Sequence, residues 1–325
     1  MKIEAYIADW AFDRDLTPKE ASCLSHVNYS FGLIKEGRIS IAHLGQLDRL
    51  RRLQAAYPWL KVNLSIGGWG AGGFSEAVAT EAAREKLALS ALDVIRELHL
   101  TGIDWDWEYP GANDAGISAS PDDPRNMSDY LVLMKGKLKE LSKETGHYYE
   151  QSIAAGASRV QDYHWQKVLP ALDSVNLMTD DMGMDGCTGH MTNLRKAAGG
   201  AYSAEQSAEA FQQAGVPKEK LLIGAAFYFH VFEGVCSSAP LAASYTKKGR
   251  SLPHDALEAS WEYHWDQQAQ AAFYLRDGVL LSGDDEHSLR KKRDFVQAEG
   301  LGGVIIWELN QDRKHILLPC LAGKE

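Results

Sequence analysis

The chain of 325 residues alternates short apolar runs with longer amphipathic stretches from one end to the other. Eight of the short runs have the character of β-strands: residues 3–9, 26–31, 61–68, 102–108, 149–157, 174–181, 221–229 and 302–309. Between them, stretches such as 74–100 carry apolar residues at helical spacing with charges in between. Strands that alternate with helices indicate a parallel sheet, and eight such units close a (β/α)8 TIM barrel. The sequence therefore predicts this α/β fold.

A doubly wound sheet is the alternative arrangement, and it usually carries a glycine-rich turn after its first strand. The corresponding turn here is ADWAFDRD at 8–15, which has no G-x-G-x-x-G fingerprint. We therefore predict a single (β/α)8 domain over residues 1–325. The unit between the seventh and eighth strands is long, so residues 231–290 are expected to form an elaborated β7–α7 region. Within it, the pattern over 261–285 predicts a helix followed by a hairpin.

Composition excludes several classes of function. The net charge of -10 disfavours a nucleic-acid partner, because phosphate backbones need a basic surface. No run of 18 apolar residues is present, so no membrane span is predicted. The four cysteines form no C-x-x-C pair, which argues against a zinc site. Nine tryptophans and thirteen tyrosines are more informative, because aromatic rings are the usual platforms for the apolar faces of sugars.

The fourth strand carries the most informative motif, GIDWDWEYPG at 102–111, in which three acids are spaced by two. Residues two apart on a strand share a face, so Asp104, Asp106 and Glu108 point one way and Trp105 and Trp107 the other. Two tryptophans suit the helix-facing layer of a barrel, which leaves the acids facing its interior. A solvated edge strand is the alternative, but the tryptophans and the apolar helices on both sides argue against it.

Such a row of acids has chemical consequences. Burying ionised carboxylates is costly, and like charges in contact force some of them to keep their protons. Glu108 lies nearest the carboxyl end of the strand, where barrel active sites are built. A carboxylate at Asp106 would raise the pKa of Glu108 and make it a general acid near neutral pH. Cleavage of glycosidic bonds requires an acid of this kind.

The same residues resemble the D-x-x-D-x-D-x-E signature of family 18 glycoside hydrolases, the chitinases. Further segments resemble motifs on other strands of that family: NYSF at 28–31, LSIGGW at 64–69, NLMTDDM at 176–182, FYFH at 227–230 and GGVIIWEL at 302–309. Together with the signature, these segments lie on six of the eight predicted strands. It implies a (β/α)8 barrel and a hydrolase that acts on β-1,4-linked N-acetylglucosamine.

The resemblance also implies a mechanism, in which the substrate's own 2-acetamido group attacks and the anomeric configuration is retained. Glu108 would protonate the glycosidic oxygen and later activate water. Asp106 would bind the acetamido N–H and stabilise the oxazolinium ion, while Asp104 below shares charge or a proton with it. Asp181 matches the aspartate of the family's M-x-Y-D segment, near the acetamido group. The resemblance implies neither a metal nor a cofactor.

Aromatic side chains cluster at or just beyond the predicted carboxyl ends of the strands, where rings line a cleft. The residues expected to bind substrate are Tyr6, Phe31, Trp69, Tyr109, Met178, Asp180, Tyr228 and Trp307. The resemblance places Trp307 at the floor of the sugar site and makes Met178 a wall residue.

The sequence departs from the family pattern at four positions. The first Asp of the signature is Thr101, at the entry of the strand, where a structural role is expected. Asp180 replaces the Tyr that donates a hydrogen bond to the acetamido oxygen, and losing such a donor typically reduces the rate by about 10²–10³. Gly283 stands where Tyr often precedes Asp-Asp, and His230 stands near the usual Arg. Both suggest an altered groove.

Three functions follow from these observations. The first is hydrolysis of chitin or N-acetylglucosamine oligosaccharides, which the presence of Glu108 favours. The second is a chitinase-like lectin that binds such sugars with little or no turnover, because of Asp180. The third is an endo-β-N-acetylglucosaminidase that acts on glycoproteins and shares the acid row. The 231–290 region looks short for one wall of a deep groove, so we expect a shallow cleft and non-processive cutting.

Localisation stays open at this stage. Met1 leads directly into the strand-like IEAYIADW, without the apolar segment of a signal peptide. The residues fit a secreted protein whose signal has been removed, and equally a cytoplasmic protein that acts on imported oligosaccharides. We expect a monomer that binds sugar chains, with neither nucleic acid nor membrane as a partner.

Overall fold

The computed structural model describes residues 1–183, 186–197, 200, 202–236 and 238–325. Its strands up to the barrel's seventh are β1 (Lys2–Ala8), β2 (His26–Lys35), β3 (Arg38–Ser40), β4 (Lys61–Gly67), β5 (Gly102–Asp106), β6 (Glu150–Gly156), β7 (Ser174–Met178) and β8 (Leu221–Ala226). The remaining strands are β9 (Tyr228–Glu233), β10 (Lys247–Lys248), β11 (Leu252–Pro253), β12 (Glu262–Asp266), β13 (Ala271–Arg276), β14 (Val279–Gly283) and β15 (Gly303–Trp307).

Eight parallel strands close into a barrel in the order β1-β15-β8-β7-β6-β5-β4-β2, and β2 pairs back with β1. The predicted (β/α)8 fold is therefore confirmed. Strand β3 pairs antiparallel with the far end of β2 and lies outside the closed ring. The register aligns Asp104 of β5 with Ser65 of β4 and with Ser152 of β6, so these three inward side chains share one level of the barrel.

Helices surround the barrel: α1 (Pro18–Cys23), α2 (Leu47–Ala56), α3 (Phe74–Val78), α4 (Glu81–Glu97), α5 (Asp123–Thr145), α6 (Trp165–Val168), α7 (Ala204–Gln213), α8 (Glu286–Glu299) and α9 (Leu317–Ala322). Short 3-10 helices occupy Asp9–Ala11, Val160–Asp162, Leu169–Ala171, Lys218–Lys220, His254–Ala256 and Leu309–Gln311. Side-chain caps explain several starts, since Thr80 accepts a hydrogen bond at the start of α4 and Asp285 at the start of α8. Gly300 ends α8 in the left-handed conformation that glycine adopts without strain.

The main apolar core lies between the barrel and its helices. Trp105 and Trp107 are both fully buried there. Trp105 meets the ring of Tyr130 on α5 edge-on, and Trp107 stacks on Phe74 of α3. The predicted alternation along β5, with tryptophans toward the helices and acids toward the interior, is confirmed. The segment that carries the acids is thus anchored to α5 and α3 through its two tryptophans.

A second, antiparallel sheet lies between the seventh and eighth barrel strands, in the order β10-β9-β14-β13-β12, with β11 also on β9. The prediction of a helix near the start of 261–285 is wrong, because Glu262–Asp266 forms strand β12 and pairs with β13. The reason is a period of two: Trp261, Tyr263 and Trp265 alternate with side chains such as His264, which stacks on Phe273 of β13. Among the described residues, no helix is long and apolar enough to cross a membrane.

Candidate active site

The carboxyl ends of the barrel strands surround a cavity of about 760 Å³. This volume falls within the range of small-molecule sites, about 300–1,000 Å³. Every residue predicted for the site except Asp104 lines it: Tyr6, Phe31, Trp69, Asp106, Glu108, Tyr109, Met178, Asp180, Asp181, Tyr228 and Trp307. Side chains from distant parts of the chain therefore meet in one place.

Asp104 lies one level deeper, where the barrel supplies it with hydrogen-bond donors. Its Oδ2 accepts hydrogen bonds from the hydroxyls of Tyr6 at 2.9 Å and Ser65 at 2.7 Å. Its Oδ1 accepts one from Ser152 at 2.6 Å and a longer one from Asn176 at 3.4 Å. Burial raises the pKa of Asp104, although the three hydroxyls oppose that rise. The carboxyl is thus fixed in orientation and buried without a cation.

Asp106 is 5% exposed and lies above Asp104 on the same strand. Its Oδ1 is buried and has no hydrogen-bond partner among the described residues. Burial raises the pKa of Asp106 well above its usual value, and the neighbouring charges of Glu108, Asp104 and Asp180 raise it further. A buried polar atom without a partner is costly, so this oxygen is suited to accept a donor from a ligand.

Glu108 follows two residues after the last residue of β5 and faces the cavity. Burial raises its pKa to about 7, the nearby Tyr109 side chain opposes this rise, and the charge of Asp181 adds to it. A carboxyl with this pKa keeps its proton in a substantial fraction of molecules at neutral pH. It therefore has the protonation behaviour that a general acid needs.

The carboxyl end of β7 places two further acids on the opposite wall of the cavity. Asp180 is buried, and burial together with Asp181 raises its pKa to about 7. Its Oδ2 lies 3.5 Å from the hydroxyl of Tyr228. The backbone of Gly224 on β8 makes room for it, since a Cβ at that position would lie 3.0 Å from Asp180 Oδ1.

Asp181 behaves differently from its neighbour because it has a basic partner. Its Oδ2 lies 3.2 Å from Nε2 of His230, whose side chain is buried, while the Asp181 side chain is half exposed. Burial alone would raise the pKa of Asp181, but the contact with His230 outweighs it and holds this pKa below its usual value. The wall thus carries a protonatable acid and an ionised one side by side.

Aromatic rings border the acids on two sides. On one side Trp307 stacks on Phe31, with ring centroids 5.6 Å apart, and lies 5.9 Å from the ring of Tyr6. On the other side Trp69 and Tyr109 meet edge-on at 6.4 Å. Trp69 is 64% exposed, so its face is available to a ligand. This combination of central acids and flanking rings is suited to a sugar.

Comparison with known proteins agrees with this geometry. The family model described as "Glycosyl hydrolases family 18" matches residues 2–312. The chain belongs to glycoside hydrolase family 18. It is similar to Chitinase A1 of Niallia circulans, with 30% identity over 84% of this chain and 44% of that protein. It is also similar to Chitotriosidase-1 of Mus musculus, with 28% identity over 96% of this chain and 73% of that protein.

Among solved structures, a family 18 N-acetylglucosaminidase from Paenibacillus barengoltzii superposes with a TM-score of 0.93 and 38% identity. That match covers 100% of this chain and 99% of that one. The chain therefore spans less than half of the first curated relative, but nearly the whole of this solved structure.

Several residues of this family 18 site were not predicted from the sequence. Ser65, Ser152 and Asn176 bind Asp104, and each occupies an inward position of a barrel strand next to a predicted residue. Because side chains alternate between the two faces of a strand, these three inward positions could have been identified from the sequence. Asp114, Arg159 and Tyr202 also line the cavity. Arg159 comes three residues after β6 ends, where barrel enzymes place functional side chains, but no motif marks it.

The departures from the family pattern also have structural explanations. The hydroxyl of Thr101 accepts a hydrogen bond from the Val62 N–H at 2.8 Å, which joins β4 to the entry of β5 and supports the expected structural role. Gly283 packs against the backbone of Tyr228, where a Cβ would lie only 2.3 Å from the carbonyl oxygen. No side chain fits at this position, so the sheet as it is paired here cannot accommodate the family's tyrosine.

Proposed function

We propose that the chain hydrolyses β-1,4 glycosidic bonds of chitin or N-acetylglucosamine oligosaccharides, with retention and with the substrate's acetamido group as nucleophile. The observation that carries this proposal is the row Asp104, Asp106 and Glu108, in which Asp106 and Glu108 line the cavity and Asp104 lies beneath them. Its three acids differ in environment: one is saturated with donors, one has a free oxygen and one faces the cavity with a pKa of about 7. Different environments give carboxyl groups different pKa values, so that one can act as the acid, another can stabilise charge and a third can support them.

In this mechanism Glu108 gives its proton to the glycosidic oxygen as the bond breaks. The acetamido oxygen attacks the anomeric carbon from the other side, and an oxazolinium ion forms. The unpartnered Oδ1 of Asp106 accepts the acetamido N–H, which orients the group and stabilises the positive charge. Glu108, now ionised, takes a proton from water as that water attacks. Asp104, below, acts on Asp106 through its charge, which raises the pKa of Asp106.

The remaining predicted residues form the walls of the sugar site. Trp307 and Phe31 provide the stacked apolar surface beneath a sugar ring, and Met178 and Asp181 close the side at β7. Trp69 and Tyr109 receive the sugar on the other side of Glu108. We further propose that residues 1–325 act as one catalytic domain, with the 231–290 region as a wall of the cleft. Similarity to an N-acetylglucosaminidase over nearly the full chain supports an N-acetylglucosamine unit at the cleaved bond.

Incubation with N-acetylglucosamine hexamer, followed by mass spectrometry of the products, tests this proposal. Glu108→Gln serves as the blank, because the amide keeps the shape of the side chain but cannot give up a proton. We expect cleavage by the native protein and none above background by the variant. Release of single sugars indicates action from a chain end, whereas dimers and trimers indicate chitinase action. An equally active variant contradicts the role of Glu108.

A binding protein without turnover is the second candidate, and Asp180 is the observation that favours it. Its short side chain stands where the family has a tyrosine donor, and at neutral pH it is ionised in a substantial fraction of molecules. If the hexamer binds but survives intact, the Asp180→Tyr variant separates the two functions. Turnover that appears only in this variant assigns the native protein to the binding class. If instead the native protein is active and the variant is less active, the aspartate contributes to the native site.

A further inference from the structure

The side chains that line the cavity form two arcs when they are assigned to the strands of the barrel. In the closed sheet, β15, β1 and β2 are neighbours, and so are β4, β5 and β6. The first arc carries three aromatic side chains, Trp307, Tyr6 and Phe31. The second arc carries three side chains that follow the carboxyl ends of its strands: Trp69, Tyr109 and Arg159.

The place of the proposed acid shows which sugar each arc receives. Glu108 follows β5, in the middle of the second arc, and in the proposed mechanism it protonates the oxygen that joins two sugars. One of these sugars lies on the Trp307 surface of the first arc. The other sugar leaves with the glycosidic oxygen and therefore lies against the second arc.

Arg159 is held in a fixed orientation on this second arc. Its guanidinium carbon lies 4.6 Å from the centroid of the Tyr109 ring. Gly156, the last residue of β6, leaves room for both side chains, since a Cβ there would lie 2.8 Å from Tyr109 Cε1 and 2.9 Å from Arg159 Cδ. The Nε of Arg159 donates a 2.6 Å hydrogen bond to Oδ2 of Asp162, which is 2% exposed. A planar group that is stacked and bonded at one edge is well ordered before a ligand arrives.

The outer nitrogens of the Arg159 guanidinium are open to a ligand. A guanidinium has N–H donors on all three nitrogens, and Asp162 uses only the one on Nε. Within the described ranges, Nη1 and Nη2 have no hydrogen-bond acceptor, since Nη1 lies 3.9 Å from Oδ2 of Asp114, too far for a hydrogen bond. The side chain is 24% exposed and lines the cavity. The fold thus presents several unused donors at a fixed place on the leaving side.

The charges around Arg159 indicate what kind of acceptor it suits. Asp162 and Asp114 flank the guanidinium and offset its positive charge. The carboxyl groups of the same cavity would repel an anion. Neutral oxygen atoms are therefore the better acceptors, and an N-acetylated sugar presents them in its hydroxyls and its acetamido carbonyl.

We propose that Arg159 is a specificity-determining residue, which donates hydrogen bonds to hydroxyl or acetamido oxygens of the sugar on the leaving side of the cleaved bond. The inference rests on the proposed hydrolysis of N-acetylglucosamine chains and adds to it a residue that none of the family motifs in this sequence marks. Arg159 thereby favours a sugar over an aryl group as the leaving group.

Kinetics with two matched pairs of substrates tests this inference. p-Nitrophenyl N-acetylglucosaminide is paired with the free dimer, and the p-nitrophenyl glycoside of the dimer with the free trimer cut at its reducing-end bond, so the members of a pair differ only in the leaving group. In Arg159→Met, kcat/KM should fall about tenfold for the free oligosaccharide and less than about twofold for the aryl glycoside, because a hydrogen bond from a charged donor is lost.

Two further variants accompany this measurement. Arg159→Lys keeps the charge and a donor but not the planar fork, so its loss should lie between those of the native protein and Arg159→Met. It also carries the test should Arg159→Met fail to fold. Arg84→Met is the matched control, because Arg84 is also a partly buried arginine, bonded to the carbonyl of Val78. It should change neither member of a pair.

A binding measurement separates a lost sugar contact from a weakened acid. A weaker acid would also favour the aryl substrates, because nitrophenolate leaves without a proton. The arginine variants are therefore repeated in the Glu108→Gln background, in which this acid is absent. Calorimetric titration with N-acetylglucosamine hexamer, which is long enough to reach both arcs, should show about tenfold weaker binding with Arg159→Met and unchanged binding with Arg84→Met.

Equal losses on both members of a substrate pair, or unchanged hexamer binding with Arg159→Met, would overturn the inference, since Arg159 then makes no contact with the leaving sugar. A native protein that cleaves neither oligosaccharides nor aryl glycosides overturns the proposed function instead. The titration in the Glu108→Gln background needs no turnover, so it still decides whether Arg159 binds the sugar chain.

Discussion

The barrel carries buried acids at both of its ends, and Glu150 at the amino end contrasts with three acids at the carboxyl end. At the amino end, Glu150 pairs with Lys61 and, at 2.7 Å, with His26 Nε2. Although burial opposes it, these partners lower the pKa of Glu150 to about 2. At the carboxyl end, Asp106, Glu108 and Asp180 lie around a cavity, and burial with mutual repulsion raises their pKa values.

The difference shows what each end is for. A paired acid stabilises the fold at neutral pH, whereas an acid forced to share a small volume with others destabilises it. The amino end of a barrel is where charges support structure, and the carboxyl end is where they do chemistry. Clustered acids without matching cations are retained at the carboxyl end because the cavity brings a ligand to them.

Replacing Asp106 with Asn should produce the largest effect and would sharpen the comparison. The amide keeps the volume but cannot stabilise the positive charge that develops on the acetamido group, so kcat on the hexamer should fall by about 10²–10³. Steady-state kinetics measures this, with KM expected to change much less. Glu4→Gln is the matched control, since Glu4 is 1% exposed at the amino end and its pKa is also raised by burial. If both variants lose activity equally, the two ends do not differ as described.

The sequence predicted the carboxyl end of this comparison but not the ion pairs at the amino end. The period of two along β5 separates acids from tryptophans, and eight repeats of strand and helix fix the barrel, so residues from seven strands could be placed at one end. Arg159 lines the cavity but escaped prediction, because no motif marks it and only the folded barrel brings it beside Tyr109. The strand at Glu262–Asp266 was mistaken for part of a helix because a glutamine- and alanine-rich stretch follows it, while its pairing with β13 is non-local.

The Glu108→Gln variant should gain stability in a pH-dependent way. The pKa of Glu108 is raised from 4.5 to about 7, so its ionisation destabilises the folded state as pH rises above 4.5, and the full effect is reached above pH 7. Removing the charge should therefore raise the free energy of unfolding by about 3 kcal/mol at pH 8 and little at pH 4.5. Urea unfolding at both pH values measures this. A gain of equal size at pH 4.5 would mean that the cause is not ionisation.

The buried cation Lys292 shows a further limit of sequence reasoning. In the sequence it belongs to the basic run RKKR, which looks like a solvated helix face. In the structure its Nζ is fully buried and bonded to Asp284 Oδ2 at 2.6 Å and to the carbonyl of Gly224 at 2.9 Å. The charge of Lys292 also acts on Asp180, whose pKa it lowers against the larger effect of burial. Only tertiary packing determines which lysine of such a run turns inward.

At the amino end, Glu150→Gln should have the smallest effect on function and the opposite effect on stability. The variant loses the charge that pairs with Lys61 and His26, so unfolding should become easier by about 2 kcal/mol at pH 7, with kcat unchanged. Because the pKa of Glu150 is lowered from 4.5 to about 2, its stabilisation is complete above pH 4.5 and is lost as pH falls toward 2. The difference between variant and native protein should therefore narrow between pH 5 and pH 3.

The matched control for this change is Glu144→Gln, since Glu144 forms a 3.1 Å ion pair with Arg96 in which both side chains are at least half exposed. Exposed pairs contribute only about 0–1 kcal/mol, so this variant should unfold almost as the native protein does. If Glu150→Gln is equally harmless, the ion pairs at the amino end contribute little to stability. The opposition between a stabilising end and a reactive end would then rest on the cavity alone.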